Sequence, residues 1–171
     1  MILQCDTREH PSEWKRIQRQ LDSIGQKYIR SKMYIADYMA LENPKLVIDR
    51  KKNLLEICQN VTQQHERFKR ELLRALDAGI QIVVLIEHGP EIRSLEDVRA
   101  WKNPRKHEVR WRYNTVTCRR EKYFVSPKAV DGEQLYKSLC TIRDRYAVRF
   151  EFCTKDQTGR KIVEILENGQ A

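Results

Sequence analysis

Apolar positions recur along this chain at two periods, and the switch between them predicts its elements. Residues 2–5 alternate as a short strand that delivers Asp6 at its end. Trp14, Ile17, Leu21 and Ile24 stand at helical spacing after Pro11, predicting a helix over 11–23 that Gly25 closes. Strands follow over 28–30, 34–41 and 45–50, and Asn43-Pro44 is the turn signal that makes the last two a hairpin. Helices are predicted over 52–60 and 64–78. Phe68, Leu72, Ala75 and Leu76 form the inward stripe of the second, and Gly79 ends it. The run 80–86 reads as a buried strand and 95–101 as a short helix. Asp131-Gly-Glu-Gln134 resembles a capping box that opens a helix through Arg145. A strand over 148–153 and a helix over 158–167, with Ile162, Ile165 and Leu166 inward, complete the pattern. Strands alternating with helices predict an α/β fold with a mixed central sheet flanked by helices. At 171 residues one domain over 1–171 is expected, with no internal repeat.

Composition narrows the class. The chain is 40% hydrophobic and 33% charged, as a folded globular protein is, which excludes a disordered tail. No apolar run approaches the ~20 residues of a membrane span, so no membrane partner is expected. The N-terminus shows no basic region followed by an apolar one, so no leader is expected. The five cysteines form no C-x-x-C pair, which argues against a disulfide framework or structural zinc and for reduced thiols in a cytoplasm. His65, His88 and His107 are isolated and lack metal-ligand spacing. The net charge of +9 and a pI near 9.4 point to an anionic partner, nucleic acid first. Segment 99–122 holds nine Lys or Arg against two acids, with Trp101, Trp111, Tyr113 and, just beyond it, Tyr123 close by. It reads either as a DNA-tracking surface whose rings stack on unpaired bases, or as a solvated basic loop anchored by buried Trp101 and Trp111.

Against that charge, a few carboxylates stand out. Residues i and i+2 of a strand share a face, so Asp49 and Lys51 point one way and Arg50 the other. The predicted hairpin brings Asp37 opposite Asp49. Two aspartates can hold a hard divalent cation with water and a phosphate oxygen. Lys51 could orient or deprotonate that water, or stabilise the charge of the transition state. Asp6 is the expected third carboxylate, with Glu9 a weaker fourth. Taken alone, Asp-x-Lys is as readily a surface ion pair of little energetic worth.

Several stretches resemble the nuclease domain of the XPF family, within the PD-(D/E)XK superfamily. Asp6-Thr7-Arg8-Glu9 is similar to its D-x-R-E, and Ala36-Asp37-Tyr38 to its G-D-Y with Ala for Gly. Val47-Ile48-Asp49-Arg50-Lys51 is similar to V-E-R-K with Asp for Glu. Arg67-Phe68-Lys69-Arg70-Glu71 is similar to R-F-x-x-Q, and Val84-Leu85-Ile86-Glu87 to L-L-I-E. The order holds over residues 2–90. The resemblance implies a restriction-endonuclease-like fold and Mg²⁺-dependent DNA endonuclease activity, with Mn²⁺ as substitute. Asp37, Asp49 and Lys51 would form the catalytic core, and Asp6 and Arg8 would support it. Asp37, Asp49 and Asp6 would be the metal ligands. The family carries a further acid where Leu55 stands here; the nearest is Glu56. No tandem helix-hairpin-helix follows, so the chain looks like small stand-alone versions from bacteria and their phages. Branched DNA is the substrate class, and a homodimer the assembly, that the relatives imply.

The expected DNA contacts are Arg8, Arg50 and Arg67 near the core, and Lys102, Arg105, Lys106, Arg110 and Arg112 in the basic segment. Two other functions fit the same charge: a catalytically silent nucleic-acid-binding module, or a basic protein-interaction subunit. The intact Asp37, Asp49 and Lys51 argue against the first, and salt-sensitive DNA binding would argue against the second.

Overall fold

In the computed structural model, which describes residues 1–169, six strands form the central sheet. They are β1 (Leu3–Cys5), β2 (Tyr28–Arg30), β3 (Tyr38–Ala40), β4 (Asn43–Lys51), β5 (Gln81–Glu87) and, last, a strand at Arg149–Cys153. Two further strands, β6 (Val109–Asn114) and β7 (Arg119–Phe124), pair only with each other, so the last sheet strand is β8. The sheet order is β2-β1-β3-β4-β5-β8. Antiparallel pairs β1/β3 and β3/β4 sit beside parallel pairs β1/β2, β4/β5 and β5/β8, a mixed sheet.

Helices cover both faces, because the central strands are apolar on both sides. Along β5, Ile82, Val84 and Ile86 point to one core, shared with α2 (Leu54–Thr62), α3 (His65–Asp77) and α4 (Gly132–Tyr146). Val83 and Leu85 point to the other, shared with α1 (Pro11–Ser23) and α5 (Thr158–Asn168). Each face therefore has its own helices, and so does each alternate side chain at the strand ends.

Two predicted elements change. The strand over 34–41 shortens to Tyr38–Ala40, because Ala36 adopts φ 61° and breaks the extended run. Asn43 and Pro44 lie inside β4, and the turn is Leu41-Glu42. Leu76 is exposed rather than in the α3 stripe, so the apolar face ends at Ala75.

The ends of α4 are set locally. Asp131 caps it in a reciprocal capping box with Gln134. Gly132 lies against a short turn at Glu96–Ala100, and a Cβ there would sit 2.4 Å from the Val98 carbonyl oxygen. The C-cap is Ala147, left-handed at φ 52° and exposed. Glycine adopts that conformation freely, whereas alanine is strained there. Ala147→Gly should raise stability by roughly 0.5–1 kcal/mol, read as a higher urea midpoint at unchanged m.

Candidate active site

β4 ends in Asp49, Arg50 and Lys51, and its pleat sends them to opposite faces of the sheet. Asp49 and Lys51 follow Val47 toward α2 and α3. Lys51 Nζ donates to Asp49 Oδ1 at 2.8 Å, lies 2.7 Å from Asp49 Oδ2 and stands 5.7 Å from the Phe68 ring centroid. Asp37 immediately precedes β3, where its N–H donates to Ile48 O at 2.9 Å. Its Oδ2 accepts the Arg50 backbone N–H at 2.8 Å. Register thus delivers Asp37 beside Asp49, although Asp37 belongs to a bent segment and not to a strand. The strained Ala36 ahead of it is fastened by α3, its N–H donating to Glu71 Oε1 at 3.3 Å.

These groups, Arg50 among them, line a cleft of about 560 Å³ together with Arg8, Glu9, His10, Ser12, Glu13, Lys52, Glu56, Arg67 and Glu71. Burial pushes the Asp37 carboxyl well above the usual range, and the charges of Asp49 and Glu9 push it further. Burial pulls the Lys51 ammonium down, but Asp49 and Asp37 outweigh it and hold the amine charged. A single lysine thus faces two crowded carboxylates. That pair presents hard oxygen donors, as Mg²⁺ prefers, and its resistance to double ionisation is what a shared cation would relieve.

Asp6 is not brought to this pair. It is fully buried, receives the Arg8 backbone N–H at 2.9 Å and the Arg8 guanidinium, and does not line the cleft. Among the described residues no three His, Cys, Asp or Glu side chains converge as a metal-binding group. The structure places the Asp6 carboxylate apart from the Asp37–Asp49 pair, engaged in aiming Arg8 at the cleft. Burial raises the Asp6 carboxyl, yet the Arg8 bonds outweigh it and leave it below its ordinary value. A depressed carboxylate stabilises the fold above the ordinary aspartate value of about 3.9 and loses that contribution as pH falls through its own lowered value. Thermal melts should therefore show Asp6→Asn destabilised at neutral pH and converging on the parent below about pH 4.

Arg50 and Glu9 pair with each other. On the α1 side of the sheet, Arg50 binds Glu9 through two bonds of 2.9 Å, Glu87 at 3.0 Å and Glu13 at 3.4 Å. Glu9 further accepts the Tyr38 hydroxyl at 3.0 Å. Arg50 is largely buried in this network yet still lines the cleft beside Glu9 and Glu13, so most of its guanidinium bonding capacity is spent on these carboxylates. Glu87, fully buried, binds Arg16 and Thr158 in the same network.

Of the other expected contacts, Arg8 and Arg67 line the cleft. Arg105 lines a second cleft beside α2. Lys106 pairs with Asp131 at 3.6 Å, and Arg110 with Glu108 at 2.7 Å. Lys102 is exposed, and Arg112 stacks 5.4 Å over Tyr123. None of these five lines the Asp37–Asp49 cleft. Glu71 and Lys52 reach it without having been singled out for it. Glu71 occupies the Gln position of the R-F-x-x-Q resemblance, which was its signal, and Lys52 follows the Asp-x-Lys run directly.

No family model matches this chain, and no curated protein matches its sequence. Solved structures do match in shape. XPF from Aeropyrum pernix superposes with TM-score 0.64 at 14% identity, over 99% of this chain and 65% of that one. The complex of XPF from Aeropyrum pernix with DNA gives TM-score 0.63 at 14% identity, over 99% and 64%. The chain thus spans about 65% of the length of the structures it matches. The XPF-like α/β fold expected from the motifs is the fold observed. Among the described residues no helix is long and apolar enough to cross a membrane.

Proposed function

We propose that this protein is a metal-dependent DNA endonuclease whose centre is Asp37, Asp49 and Lys51. The observation that carries it is the pairing of two carboxylates and a charged lysine in a cleft that Arg8, Lys52 and Arg67 also line. The fold adds support, since it is shared with a protein solved in complex with DNA. Asp37 and Asp49 would hold Mg²⁺, or Mn²⁺ in its place. When bound, the ion supplies charge neutralisation at the phosphodiester and an acidified water. Lys51, kept as an ammonium by its two neighbours, donates to the phosphoryl oxygens as negative charge develops. Arg8, braced by Asp6, and Arg67 on α3 bind the flanking phosphates from opposite walls.

Supercoiled plasmid and linear, flapped, forked and four-way DNA, each incubated with Mg²⁺, Mn²⁺ or EDTA, test this reading. Cleavage is expected with either ion and none with EDTA. Binding without cleavage on every substrate would leave a DNA-binding module and sink the nuclease.

A further inference from the structure

The β6–β7 ribbon stands outside the central sheet, and its two faces differ. Register places Val109 opposite Phe124, Trp111 opposite Lys122 and Tyr113 opposite Arg120 on one face. Arg110 opposite Tyr123, Arg112 opposite Glu121 and Asn114 opposite Arg119 form the other. The second face is largely spoken for. Arg110 pairs with Glu108, Arg112 stacks on Tyr123, and Glu121 accepts from Asn114 and Thr117. The first face is not. Trp111 is 65% exposed, Tyr113 61% and Phe124 55%, and among the described residues Lys122 and Arg120 have no ion-pair partner. Three exposed rings on one strand pair form a patch that monomers rarely leave open.

We propose that this face of the ribbon binds single-stranded DNA, with Trp111 and Tyr113 stacking on unpaired bases and Lys122 and Arg120 on the phosphates. Charge selects the partner. Residues 109–124 carry five Lys or Arg against one acid, so a second copy of this ribbon would meet it with like charge. The rings select the form of the DNA. Trp111 and Tyr113 are one pleat repeat apart, about 6.8 Å. That is twice the step of about 3.4 Å in a stacked strand. Both rings can be engaged only by bases drawn apart from each other, and base faces are open only when unpaired. The side chains that carry the surface are therefore not Arg110 and Arg112, which lie on the reverse face. This surface requires a protein that binds DNA, not one that cuts it.

Fluorescence anisotropy in EDTA, with labelled oligothymidylate and a labelled blunt-ended duplex, tests it on the full chain. Trp111→Ala should weaken oligothymidylate binding about tenfold and duplex binding less than about twofold, and Trp111→Phe should recover most of the loss. Arg112→Ala should weaken both ligands by one modest common factor. Equal losses for the two ligands in Trp111→Ala, or no loss, would overturn the proposal. So would sedimentation showing that Trp111→Ala converts a dimer into a monomer, since a second copy would then be the occupant. A protein that binds oligothymidylate through Trp111 but cuts nothing keeps this surface and loses the nuclease reading. One that cuts and is indifferent to Trp111 does the reverse.

Discussion

Asp49→Asn should lower Mg²⁺-dependent cleavage by about 10³-fold or more while the protein stays folded. The change swaps one oxygen for nitrogen at nearly constant volume and removes one of the two charges that would hold the ion. Losing several kcal/mol of charge stabilisation in the transition state, about 4 kcal/mol, is about a thousandfold in rate. Stability should move little, for two opposing reasons. Lys51 loses the closer of its partners, at 2.7 Å. Asp37 is relieved of a neighbouring charge that now makes its ionisation harder, and it keeps Lys51 as counterion. Single-turnover cleavage of supercoiled plasmid, beside a thermal melt and a DNA-binding titration in EDTA, separates these effects. Binding should be retained or slightly stronger, because a negative charge has left the cleft. A variant that still cuts within tenfold of the parent would move the catalytic centre away from β4.

The sequence reading reached this site because one rule, side-chain alternation, governs it. Asp49 and Lys51 share a face and Arg50 does not, whatever the rest of the fold does. The helices were legible for the same kind of reason, since Trp14, Ile17 and Leu21 repeat at the helical period and all three are buried. What alternation cannot show is which distant group meets a side chain. Arg50 was correctly turned away from Asp49, yet its partners come from the loop before α1, from α1 itself and from the end of β5. Its charge alone does not reveal that convergence of Glu9, Glu13 and Glu87. Asp6 is a different case. Its partner is two residues away, but only the turn after β1 folds Arg8 back onto it, apart from Asp37 and Asp49. The strand over 34–41 failed at Ala36, where a left-handed residue carries no mark in the pattern of polarity. The resemblance had a signal there, since the related motif has glycine at that position. Trp111 fell between the two readings of the basic segment. It is not a buried anchor, because no residue of β6 or β7 is buried and the ribbon has no core to enter.

Arg50→Ala should be the most damaging single change to stability, costing about 3–5 kcal/mol. Arg50 lines the cleft on the α1 side, and its loss would strand carboxylates that have few other cations. Glu9 would keep only the Tyr38 hydroxyl. Glu87, with no exposed surface, would rely on Arg16 at 2.6 Å and Thr158 at 2.8 Å, and its Oε2 already lacks a partner. An uncompensated buried charge costs far more than an exposed pair gains, so the asymmetry decides the sign. For a chain of this size the melting temperature should fall by about 10 °C or more. The penalty should shrink in acid, where a protonated carboxyl no longer needs a cation. Arg50→Lys should fall between parent and Ala, because a lysine keeps the charge but cannot make the paired bonds to Glu9. The same variant separates scaffold from substrate contact. If Arg50 braces the sheet, Arg50→Lys melts earlier but cuts with an unchanged KM for DNA. If it instead melts like the parent and binds DNA poorly, its guanidinium reaches the substrate, and the ion-pair network on the α1 side is not what fixes the end of β4.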